Sequence, residues 1–298
     1  MKFNFDYLKP KVVAEIGCNH MGDFDIALEL ILLAKQSGAE YVKFQKRCNR
    51  ELLTEEQYNT PHPMPENSYG QTYGAHREFL EFNVNQHKEL KNYCESIGIE
   101  YSTSVWDITS TKEIITLQPN FIKVPSACNN NFKMLKILRD EFAGQLHISI
   151  GMTQKLEVEE IIKFFELTNQ AKSRLVIYSC TSGYPVPAKD AALLEINWLY
   201  GNYGERVNEI GFSGHHLGIA LDIAAYTLGA KWIERHFTKD RTWKGTDHAA
   251  SLEPQGLQKL IRDLTATYEA LHFKKTEILP IEVIQRQKLK FKKGILEK

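Results

Sequence analysis

The sequence has no charge surplus of either sign: 37 lysines and arginines stand against 37 aspartates and glutamates. Without such a surplus it lacks the electrostatic footprint of a nucleic-acid or membrane-surface binder, and neither partner is expected. No apolar run approaches the roughly 18 residues of a membrane span. The opening stretch, MKFNFDYLKPK, lacks the apolar core of a signal peptide. Five cysteines (Cys18, Cys48, Cys94, Cys128 and Cys180) lie far apart with no C-x-x-C among them, so free thiols in a reducing cytoplasm are expected. No G-x-G-x-x-G follows the first apolar run, which argues against a dinucleotide site.

What is present is an alternation. Short β-branched runs at 11–17, 40–46, 99–104, 121–126, 146–151, 175–180, 208–213 and 231–236 are bounded by Gly, Pro, Asn or Ser and read as strands. Helical patterns lie between them, roughly at 25–37, 73–96, 110–117, 131–142, 158–167, 188–200, 218–228 and 255–271. Eight such units, with 43% hydrophobic residues in 298, match an α/β fold of the (β/α)₈ TIM-barrel kind in count and length. A doubly wound open sheet is the alternative. The expected organisation is one barrel domain over residues 1–275 and a C-terminal tail or helix over 276–298. One connection, Arg47–Thr72, is oversized. A loop that long on the C-terminal rim is usually a lid or a subunit contact.

In a barrel the chemistry sits where the strands end. Those ends carry Glu15, Asn19 and His20, then Lys43 and Gln45, then Ser102, Thr103 and Asp107, then Lys123 and Ser126. The second half adds Ser149, then Thr181, Ser182 and Tyr184, then Ser213 and His215, and last Glu234 and His236. A lysine inside an apolar strand, as in Y-V-K-F-Q or F-I-K-V-P-S, can snorkel at an edge, form a Schiff base, or hold an anion. Two of them beside several serines favour a phosphate and carboxylate cradle. A lone strand-end histidine is most often a hydrogen-bonded core residue. His215 and His236 end neighbouring strands, and two imidazoles completed by carboxylate or water suit Mn²⁺, Fe²⁺, Co²⁺ or Zn²⁺. His216 is expected to open the following helix, and Asp247 and His248 either reach the mouth or are solvated. Glu15 is a lysine's structural partner or an acid–base carboxylate. Cys128 and Cys180 read as core fillers.

Seven segments in order carry a resemblance: A-E-I-G-C-N-H-M-G (Ala14–Gly22), Y-V-K-F-Q, F-I-K-V-P-S, I-S-I-G-M (Ile148–Met152), C-T-S-G-Y-P (Cys180–Pro185), F-S-G-H and E-R-H-F-T. From residue 10 to residue 270 the chain resembles the N-acetylneuraminate (sialic acid) synthase family. The resemblance implies metal-dependent condensation of phosphoenolpyruvate with an open-chain sugar aldehyde, commonly N-acetylmannosamine, giving a 3-deoxy-2-ulosonic acid and phosphate. It implies Mn²⁺ or Mg²⁺ on His215 and His236. It further implies a phosphoenolpyruvate cradle of Lys43, Lys123, Ser126, Ser149, Ser182 and Ser213, an acid–base Glu15, and sugar contacts at Gln45, Tyr184 and Asp247.

The sequence departs from that family in two ways. Many relatives have a carboxylate where K-V-P-S-A-C-N-N places Cys128, and a thiol is no substitute acceptor for a sugar hydroxyl. The family's C-terminal antifreeze-like domain, which lends an arginine to the partner's sugar site, is expected to be missing. Arg47, Arg50 and Arg77 are candidates to replace that arginine. Without that domain's swapped-dimer contact the oligomeric state is left open, a homo-oligomer included. Both departures touch sugar recognition and leave the phosphoenolpyruvate and metal groups intact. The competing readings are an octulosonate-phosphate-type synthase, which would need a second phosphate site, and a non-catalytic sugar-binding paralogue.

Overall fold

The structure is a computed structural model that describes residues 7–291. Its strands are β1 (Lys11–Gly17), β2 (Tyr41–Lys46), β3 (Glu100–Val105), β4 (Phe121–Val124), β5 (Gln145–Ser149), β6 (Leu175–Cys180), β7 (Glu209–Gly214) and β8 (Trp232–His236). They pair in parallel in sequence order, and β8 returns to β1 to close the barrel. Helices between them cover the outside, so the expected (β/α)₈ barrel is what forms. Among the described residues no helix is long and apolar enough to cross a membrane.

Successive strand residues point to opposite faces. Along β1, Val12, Ala14 and Ile16 join the large core shared with Ala27, Leu30, Ile31 and Ala34 of the first helix. Val13 instead joins Phe121, Val176, Tyr178 and Trp232 in a smaller cluster. That cluster fills the lower barrel interior. His147 completes it, stacked 4.1 Å from Phe121 and hydrogen-bonded to the Tyr178 hydroxyl at 2.9 Å.

Several elements differ from their sequence patterns for local reasons. The fourth strand stops at Val124 because Pro125 has no N–H to continue the ladder, and Ser126–Cys128 turns as a 3₁₀ helix. The helical pattern at 188–200 divides into a 3₁₀ turn, Ala188–Asp190, and a helix, Glu195–Tyr203. The pattern at 73–96 divides into Tyr73–Leu80 and Val84–Ile97. Here Asn83 caps the second helix: its side chain accepts from the Gln86 N–H while the Gln86 side chain accepts from the Asn83 N–H. The helix ends at Gly98, whose φ of +72° suits the missing Cβ. Asn83→Ala is expected to lower unfolding free energy by about 1 kcal/mol in a urea titration. An unchanged midpoint would show that the cap contributes nothing.

The Arg47–Thr72 connection holds two short helices, Asn49–Leu52 and Glu55–Asn59, and a 3₁₀ turn, Pro65–Asn67. It touches the loop after β8. The Tyr69 hydroxyl donates to the Lys244 carbonyl at 2.5 Å, and the Gly245 N–H donates to Asn67 Oδ1 at 3.3 Å. Beyond the barrel, Pro280–Leu289 forms an exposed helix.

Candidate active site

Strand register assembles the site. Glu15 lies opposite Lys43 on one side and His236 on the other. Ser104 lies opposite Lys123, and Ser213 opposite Glu234. Their side chains line a cavity of about 360 Å³ at the C-terminal rim. It also reaches Gln45, Ser126, Ser149, Ser182, Tyr184 and His215. Every expected site residue except Asp247 therefore lines one cavity. Asp247 sits just outside, its Oδ2 3.9 Å from His236 Nδ1.

The two lysines do not snorkel: each is only 2% exposed. Lys43 pairs with Glu15 and donates to Ser104 Oγ at 2.6 Å. Lys123 donates to Glu234 Oε1 at 2.5 Å and lies 4.2 Å from the ring of Tyr178, a member of the smaller apolar cluster. Glu234 also accepts from Ser213 at 3.1 Å and lies 3.9 Å from Lys43. Burial alone would raise the Glu234 carboxyl, but Lys123 and Lys43 outweigh it and hold the group down at about 2. Burial, together with Lys43, pushes the Lys123 ammonium below its usual range despite Glu234. The cavity thus contains buried ion pairs whose cations face open space.

On one side of these pairs the hydroxyls of Ser126 and Ser182 line the cavity. The Gly151 N–H donates to Ser126 Oγ at 2.9 Å. A Cβ on Gly151 would stand 2.5 Å from Ser182 Oγ and 2.9 Å from Ser126 Oγ, so a side chain there would push these hydroxyls aside. On the other side, Gly17 has φ +57°, and a Cβ there would come within 3.1 Å of Glu15 and Gln45. The Gln45 amide donates to Glu15 at 2.8 Å.

The imidazoles of His215 and His236 have centroids 5.5 Å apart, with the Tyr184 ring 4.4 Å from the first and 5.9 Å from the second. His215 Nδ1 bonds the Thr181 carbonyl at 3.0 Å. A carbonyl only accepts, so Nδ1 carries the proton and Nε2 keeps its lone pair. Burial, reinforced by His236, lowers the His215 pKa to about 3, so the ring is neutral at ordinary pH. His236 Nδ1 is buried with no hydrogen-bond partner. Two basic nitrogens, one of them orphaned, fit a divalent metal. Among the described residues no group of three His, Cys, Asp or Glu side chains closes a full shell, so water and substrate would complete it.

Other expectations need correction. His216 does not open a helix; the next one starts at Ala220. His216 is buried between β7 and β8, where its Nε2 lies 3.1 Å from Arg235 Nη1 and 3.2 Å from Asp222. Arg235 also bonds Asp222 at 2.5 Å and the His216 carbonyl at 2.5 Å. This outward-facing cluster ties together the strand ends that carry His215 and His236. Asn19 bonds the Phe237 carbonyl and Ser251, His20 stacks on Phe82 at 4.1 Å, Ser102 bonds the Phe121 carbonyl, and Asp107 caps a helix; all four serve structure. His248 is buried against Thr238 at 2.7 Å. Cys128 is core as expected, its thiol pushed to about 12 by burial. Cys180 lines the cavity instead of filling the core; burial likewise raises its thiol, to about 11. Glu234, Ser104 and Gly151 also belong to the site, although the family resemblance assigns them no role. A period-two count back from His236 points to Glu234 and would have found it.

The sequence profile of the NeuB family matches residues 30–276. The chain belongs to the NeuB family. It is 38% identical over 283 residues to the mouse N-acetylneuraminate-9-phosphate synthase, covering 93% of this chain and 76% of that protein. Identity to the N,N'-diacetyllegionaminic acid synthase of Campylobacter jejuni is 29%, over 88% of this chain and 78% of that one. The solved N-acetylneuraminic acid synthetase of Leptospira borgpetersenii superposes with a TM-score of 0.79 at 26% identity, covering 96% of this chain and 94% of that chain. The chain is thus an enzyme of the sialic-acid-synthase type, a transferase that forms carbon–carbon bonds.

Proposed function

We propose that this NeuB-family member condenses phosphoenolpyruvate with an open-chain, N-acetylmannosamine-like aldehyde to give a 3-deoxy-2-ulosonic acid and phosphate. The observation that carries this is the placement of two buried lysines beside two histidines with free ring nitrogens, all facing one cavity.

In this reading Lys123 and Lys43 hold the phosphate and carboxylate of phosphoenolpyruvate. Ser126, Ser149, Ser182 and Ser213 complete the cradle, with the Gly151 backbone beside them. Fixing both anionic ends orients C3 of the enol toward the aldehyde, and orientation of this kind contributes several kcal/mol. Gln45, Tyr184 and Asp247 contact the sugar. A divalent metal, Mn²⁺ or Mg²⁺, held by His215 and His236 would polarise the aldehyde carbonyl when bound. The C3–C1 bond forms and the aldehyde oxygen takes a proton. C2 then accepts water, and phosphate leaves with cleavage of its C2–O bond. Glu15, whose carboxylate carries Lys43 and Gln45, takes the proton from that water.

Phosphate release from phosphoenolpyruvate with Mn²⁺ and a panel of aldoses tests this directly. Release is expected with a 2-acetamido hexose or its phosphate. Release only with a phosphorylated pentose would indicate an octulosonate-phosphate-type synthase, and none with any sugar would indicate the non-catalytic paralogue.

A further inference from the structure

The outer wall beyond Asp247 carries cations without counter-charges. Arg77 spends Nε and Nη2 on the Tyr73 hydroxyl, at 3.0 and 2.8 Å. No carboxylate of the described residues lies within 4.0 Å of it, nor of Lys244. The Lys244 ammonium sits 4.9 Å over the Tyr69 ring. Tyr69 joins the two cations: its ring stacks at 5.9 Å on His76, the residue before Arg77, and its hydroxyl holds the Lys244 carbonyl. The positive charge at this spot is felt by its neighbours. Burial lowers the His76 imidazole first, and Arg77, Lys244 and Arg47 add to it.

The three arginines flagged in the sequence are not equivalent. Arg47 is committed to Glu81, at 3.4 Å, and to the Gln45 carbonyl oxygen. Arg50 stacks on Tyr58 at 3.6 Å. Among the described residues Arg77 leaves Nη1 without a hydrogen bond, and it is the arginine that Tyr69 links to Lys244; a guanidinium edge of this kind matches phosphate in fork geometry.

We propose that Arg77 and Lys244 form a second phosphate site, so that the aldehyde substrate is a sugar phosphorylated at the end distal to its carbonyl. This rests on the synthase reading above. With the aldehyde beside His215 and His236 and the chain passing Asp247, the far end of an extended sugar points toward these two loops. The site comes from loops, the Tyr73–Leu80 helix and the segment after β8, so it does not depend on strand-end lysines. Identity of 38% to a synthase named for a 9-phosphate product, against 29% to one named for an unphosphorylated acid, runs in the same direction.

The test compares N-acetylmannosamine with its 6-phosphate as partners of phosphoenolpyruvate and Mn²⁺, with product measured by NMR. The 6-phosphate should have the higher kcat/KM by about 100-fold, and Arg77→Ala should shrink that ratio by about 10- to 100-fold, the worth of charge-assisted hydrogen bonds. Lys244→Ala should shrink it less, and Arg77→Lys should restore part of it. Equal wild-type kcat/KM for the two sugars would overturn the site. So would a proportional loss with both sugars in Arg77→Ala, which is what a merely structural role gives. If neither sugar reacts, the synthase reading fails, and calorimetry with the 6-phosphate decides the site separately. Arg77-dependent binding would sustain it, and absent or Arg77-independent binding would overturn it.

Discussion

His236→Ala is expected to remove Mn²⁺ binding and to cut turnover roughly 1,000-fold or more, since a Lewis-acid metal supplies several kcal/mol and each 1.36 kcal/mol is tenfold. The variant should still fold. His236 Nδ1 has no hydrogen-bond partner in the structure, so its deletion strands no donor or acceptor. The neighbouring Asp247 is 3.9 Å away and keeps Thr246 beside it at 3.1 Å. His215→Ala should lose the metal as well, but it also strips the Thr181 carbonyl of its 3.0 Å partner and is the less clean substitution. Two readouts are needed: Mn²⁺ affinity by calorimetry, and turnover at saturating Mn²⁺. A variant with parental affinity or full activity would sink the assignment of the imidazoles as metal ligands.

The barrel was legible because parallel strands are buried on both faces and read as short, nearly continuous apolar runs. Runs such as Leu175–Cys180 fall on the observed strand to the residue. The 73–96 break was hidden because both halves have helical spacing; its cause is a capping box at Asn83 and Gln86, visible in sequence only when sought. At the site, strand ends identified lysines, serines and histidines but not what lies between them. Glu234 stands at its strand end with no motif to mark its role, although it shares an inward face with His236. Gly151 could not be found by side-chain chemistry because its contribution is the space left by a missing Cβ. Asn19 and Asp107 misled in the opposite sense: they are polar and near strand ends, yet they satisfy backbone groups. The Arg77 and Lys244 pair escapes any strand-end survey, because contacts from Tyr69 and Asn67, far from any strand end, bring the two segments together.

Glu234→Gln tests whether the buried charge network carries the site. The amide keeps the shape but removes the counter-charge that Lys123 holds at 2.5 Å and that Lys43 shares at 3.9 Å. Lys43 retains Glu15. Lys123 has no other carboxylate within 4.0 Å among the described residues, so it becomes a buried ammonium facing only a ring and a neutral amide. Breaking such a pair from one side costs about 3–5 kcal/mol, and denaturant unfolding should show a loss of that order. The pH dependence should change with it. The Glu234 carboxyl is held at about 2, against 4.5 without the protein around it. A depressed folded pKa contributes stability that is complete above the unfolded value and is lost as pH falls through the folded one. The parent should therefore lose this contribution between about pH 4.5 and 2, and Glu234→Gln should lack that component of its acid curve. The double variant Lys123→Met with Glu234→Leu separates stability from chemistry. Replacing a buried pair by apolar residues of similar volume is often neutral, so its stability should return toward the parent while phosphoenolpyruvate turnover stays lost. A Glu234→Gln protein as stable as the parent, with an unaltered acid limb, would show that the lysines do not depend on this carboxylate.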